Sequence, residues 1–107
     1  MLIDPDDKFF ERADALIHLA NEQVKEIENG KVSASMMFAV ARFNAWVNAG
    51  GFQSAQEMEA AKSEAIEYFS NEYRKMLEEN LDDYIANFNQ YMGIKNDSSS
   101  PSLKLVE

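Results

Sequence analysis

Apolar residues recur every three or four positions along most of this chain, the spacing that lines one face of a helix. The recurrence falls into three segments, with Gly30, Gly50, Gly51 and Gly93 at their ends and none inside. Glycine at such places is read as a helix terminus, where a left-handed backbone is tolerated. The pattern predicts an all-α fold: a small antiparallel bundle of three long helices over residues 1–92, followed by a mostly disordered tail, 93–107.

The first segment runs from about Pro5 to Asn29. Asp4 is its predicted cap, Pro5 suits the first helical position, and Asp6 and Asp7 oppose the positive end of the helix dipole. Phe9, Phe10, Ala13, Leu16, Ile17, Ala20, Val24 and Ile27 form its apolar stripe. The second segment, about Ser35 to Ala49, takes Ser33 or Ser35 as its cap. Met36, Ala39, Val40, Phe43, Trp46 and Val47 share one face, and Met37, Phe38, Ala41 and Ala45 cover much of the rest. A helix apolar nearly all round is expected at the centre of a bundle or at an oligomer interface.

The third segment opens on Ser54-Ala55-Gln56-Glu57, a capping box. Helical spacing then holds to Gly93. Unbroken from Ala55 to Met92, the helix is roughly 57 Å long against roughly 37 Å for the first segment. Two geometries satisfy this. Either the helix breaks near Asn80, with Asp82 and Asp83 at the start of a short fourth helix, or it continues and overhangs its neighbours by roughly 20 Å. Unslipped periodicity favours continuity. The overhang carries Tyr84, Ile85, Phe88, Tyr91 and Met92, which become candidate interface residues.

Charge sharpens the middle segment. The chain is formally −9, yet residues 31–53 hold no acid and two bases, while residues 1–30 and 54–92 are each strongly acidic. This balance speaks against nucleic-acid binding and against an anionic membrane surface. The absence of cysteine excludes disulfides and thiolate metal sites. No apolar run is long enough to span a bilayer, and a cytoplasmic protein is the default expectation.

Chemistry is sparsely signalled. Asp14, His18 and Glu22 share a helical face with Glu11, a weak metal or acid–base candidate; bundle metal sites draw on several helices, commonly through Glu-x-x-His pairs, and this chain has none. Glu78, Glu79, Asp82 and Asp83 lack the glycine and alternating oxygens of a calcium loop and read as a solvated face or a docking site for a basic protein. Arg42, Asn44 and Asn48 either line a small pocket or mark a polar rim, with Arg42 paired to a carboxylate. No cofactor motif or catalytic triad is present.

The blocks RADALIHLANEQ, KVSASMMFAVARFNAWV and YFSNEYRKMLEENLDDYIANF resemble the small bacterial domain-of-unknown-function family numbered 3144, over about Phe9 to Met92. The resemblance implies a short, helical, intracellular bacterial protein with no assigned activity, and brings no site residues. The reading is therefore a non-enzymatic helical interaction module that pairs with itself as a homodimer. The alternative is a small-ligand or metal-binding domain using the His18 face; an acidic mimic that occupies a nucleic-acid-binding protein is a third reading.

Overall fold

The computed structural model describes residues 6–94. They form three long helices and two short ones: α1 (Phe9–Val24), α2 (Asn29–Ala49), α3 (Ala55–Ala60), α4 (Lys62–Ala86) and α5 (Phe88–Met92). No strand occurs among the described residues. The all-α fold follows the periodicity. The tail from Lys95 and the predicted cap and first position, Asp4 and Pro5, lie outside the described residues.

The helix ends differ from the sequence expectation in instructive ways. Helix α1 begins at Phe9. Its entry is fixed by Asp6, whose carboxylate accepts from the Lys8 N–H at 2.8 Å while its carbonyl accepts from the Phe9 N–H at 3.1 Å. It stops at Val24, five residues before Asn29-Gly30. That pair starts α2 instead of ending α1, so Gly30 and both candidate caps, Ser33 and Ser35, lie within the helix. The reason is physical. The first turn of a helix requires no i−4 partner for its N–H groups, and the Glu28 carbonyl receives the Lys31 and Val32 N–H groups at 3.0 and 3.3 Å. Extending α2 backwards also gives Val32 a helical position, and Val32 is 96% covered.

The capping box forms. Ser54 is extended (φ −156°, ψ 160°), and its Oγ accepts from the Glu57 N–H at 3.1 Å. Glu57 reaches back to the Gln53 N–H at 2.9 Å, one residue before the cap. Helix α4 passes straight through Asn80, whose side-chain amide donates to the Met76 carbonyl at 2.8 Å. The chain does not break there. It is interrupted instead at single residues, Ala61 (φ −98°, ψ 7°) and Asn87 (φ −120°, ψ 30°). Gly93 closes α5 in the left-handed region at φ 73°, with the Ile94 N–H donating to the Asn89 carbonyl at 2.9 Å, a Schellman ending. Gly50 and Gly51 do not share that conformation; there α2 unwinds through short bonds such as Gly51 N–H to Asn48 carbonyl at 3.1 Å.

Two compact units emerge. Among the described residues, one takes in residues 6–36 together with 84–94; the other is Met37–Asp83. The first contains both buried apolar residues of the described chain, Ala20 and Val32. On α1, Phe9, Ala13, Ile17, Asn21 and Val24 are half-buried around Ala20. This stripe is narrower than the sequence suggests: Phe10 and Leu16 point to solvent, 70% and 63% exposed. The second unit is a helical hairpin made of the C-terminal half of α2, the Gly50-Gly51 turn, α3 and most of α4, and none of its residues is buried.

Candidate interaction surface

Helix α2 places its side chains at about 100° intervals. Its Ala41, Asn44, Ala45 and Asn48 face α3 and α4 across a groove of about 580 Å³, whose far wall includes Met58, Ile66 and Phe69. Small residues let the two arms of the hairpin approach. Asn44 and Asn48 are half-buried, so the pair lines a pocket instead of marking an outer rim. Arg42 does not line it, and among the described residues it makes no ion pair with a carboxylate.

The larger stripe of α2, expected at the centre of a bundle or at an oligomer interface, is exposed. Met36, Val40, Phe43, Trp46 and Val47 are 36%, 53%, 60%, 70% and 46% exposed. The Phe43 and Trp46 rings lie 5.5 Å apart and tilted by 46°, an aromatic pair presented outward. A second hollow, about 490 Å³, lies beside them and is lined by Trp46, Val47, Ala49 and Gly50. The apolar side chains of this face are exposed together, which makes it the candidate interaction surface.

The candidate interface residues near the C-terminus divide. Ile85, Phe88 and Met92 are open. Tyr84 and Tyr91 are half-buried and pair with each other across the Asn87 interruption, ring centroids 4.7 Å apart. The acidic residues Glu78, Glu79, Asp82 and Asp83 lie exposed along α4.

Asp14, His18 and Glu22 are exposed on α1, and Glu22 is paired with Lys25 at 3.4 Å. No three His, Cys, Asp or Glu side chains among the described residues gather closely enough to hold a metal ion. The Lys8–Glu11, Asp6–Arg12 and Glu22–Lys25 ion pairs are solvent-facing and contribute little to stability. One of them, Asp6 with Arg12 at 3.0 Å, holds the Asp6 carboxyl below its ordinary 3.8, helped by the Lys8 N–H. A residue that the apolar pattern alone does not single out is Asn21: its side-chain oxygen is buried without a hydrogen-bond partner among the described residues. The signal was available, since Asn21 follows Ile17 by four and precedes Val24 by three.

The profile of a family of proteins of unknown function, DUF3144, matches residues 9–85. The chain belongs to that family. The family match takes in all of α2 and stops short of Phe88. A solved structure, the NMR structure of the protein NB7890A from Shewanella sp., is similar at 43% identity with a TM-score of 0.69, covering 81% of this chain and 93% of that one. No curated protein matches the chain. No helix among the described residues is long and apolar enough to cross a membrane.

Proposed function

We propose that this member of the family is a non-enzymatic helical interaction module of the bacterial cytoplasm that works as a homodimer. One observation carries the reading: twenty large apolar side chains are exposed while only Ala20 and Val32 are buried among the described residues. Full burial of a large apolar side chain is worth about 1.5–3 kcal/mol, and most of that stabilisation is left for a second surface to supply. A second copy is always at hand at the protein's own concentration, and two-fold dimers are the commonest solution. Ile85, Phe88 and Met92 are among the exposed side chains. Light scattering on the full chain at high micromolar concentration tests the reading. The expected mass is twice the 12.2 kDa of the chain; a monomer at that concentration contradicts it.

A further inference from the structure

We infer that the outward face of α2, centred on Val40, Phe43 and Trp46, is the surface through which two copies pair, each presenting this same face to the other. The inference rests on the dimer reading and gives that dimer its contact.

Two-fold pairing brings identical groups near one another across the axis. On a chain of net charge −9 this works against every face that carries carboxylates. From Val32 to Gln53 there is no acid, and the single charged residue is Arg42, at the margin of the face. The C-terminal stripe has the opposite character. Ile85 follows Asp82 and Asp83 within one turn, and Glu78 and Glu79 within two, so self-pairing there sets carboxylates against their own copies.

Area points the same way. A fully covered aromatic contributes about 150–250 Å². With Phe43 and Trp46 60% and 70% exposed, these two rings supply roughly 250 Å² per copy, about a third of the ~800 Å² that each partner gives to a standard interface. Met36, Val40 and Val47 extend the same stripe. The face also offers relief for a partner copy to engage: the Phe43–Trp46 pair adjoins the hollow lined by Trp46, Val47, Ala49 and Gly50.

Trp46 is the only tryptophan of the chain, so its fluorescence reports on this face without any substitution. Sedimentation of the full chain, paired with acrylamide quenching of Trp46, is the test. The expected result is a dimer whose Trp46 is quenched several-fold less than free tryptophan. Val40→Glu/Phe43→Glu should raise the dissociation constant roughly a hundred-fold, while Ile85→Glu/Phe88→Glu leaves the dimer in place. A dimer with Trp46 as accessible as free tryptophan, or one that survives Val40→Glu/Phe43→Glu, overturns the placement and leaves the dimer reading standing. A monomeric wild-type chain overturns the dimer reading itself. The quenching result does not depend on whether the variants fold.

Discussion

The two units of this chain bury apolar surface to different degrees. The unit containing α1 covers Ala20 and Val32 and half-covers a regular stripe along α1. The hairpin Met37–Asp83 covers nothing fully, although it holds Phe38, Phe43, Trp46 and Tyr73. Helix α2 belongs to both, with Val32 4% exposed near one end and Trp46 70% exposed near the other. The residues of α2 that face the rest of the hairpin are alanine and asparagine. The lesson is that the largest side chains of a helix need not form its intramolecular contact; here Phe43 and Trp46 stay exposed.

The contrast can be broken with one charge placed at either end of α2. Val32→Asp puts a carboxylate into a covered site, where an unpaired charge costs more than about 4 kcal/mol. Urea unfolding followed by circular dichroism should show that loss at every protein concentration. Phe43→Asp, on the same helix, should lower apparent stability only at concentrations where the wild type is dimeric, because mass action supplies that part of the stability. Equal losses at all concentrations for both variants would erase the distinction between the two ends.

A smaller effect sharpens the account of the hairpin. With no fully buried residue, the hairpin relies on local devices, and Ser54→Ala should cost about 1 kcal/mol, lowering Tm by roughly 4–8 °C. A change within error would show that the Ser54–Glu57 cap is redundant.

The smallest effect belongs to the entry of α1. Asp6 has a lowered pKa, chiefly through Arg12. Its contribution is therefore present above 3.8 and is lost as pH falls through the lower, folded value. An NMR titration should find the Asp6 carboxyl midpoint below 3.8 in the wild type and raised in Arg12→Ala, where the Lys8 N–H still acts; identical midpoints would remove the ion pair from the account.

Much of the fold was legible because helical spacing and the Ser54–Glu57 box are local signals, and both survive in the structure. The helix ends were less so. Gly30 looks like a terminus by composition, yet the covering of Val32 favours helix around it, a tertiary effect that local propensity does not contain. Asn80 likewise resembles a cap, but its amide is satisfied by the Met76 carbonyl inside a continuing helix. The apolar face of α2 was legible as a face. Whether it is turned inward or outward depends on the hairpin packing through Ala41, Asn44, Ala45 and Asn48, which periodicity cannot rank against a stripe of larger residues.

The most direct test of the central claim is an isotope-filtered NOE experiment on a sample mixed from labelled and unlabelled copies. Pairing through α2 predicts intermolecular contacts between the Val40 and Val47 methyl groups of one copy and the Phe43 and Trp46 rings of the other. Intermolecular contacts confined to Ile85, Phe88 and Met92, or none at all in a sample at high concentration, would contradict it.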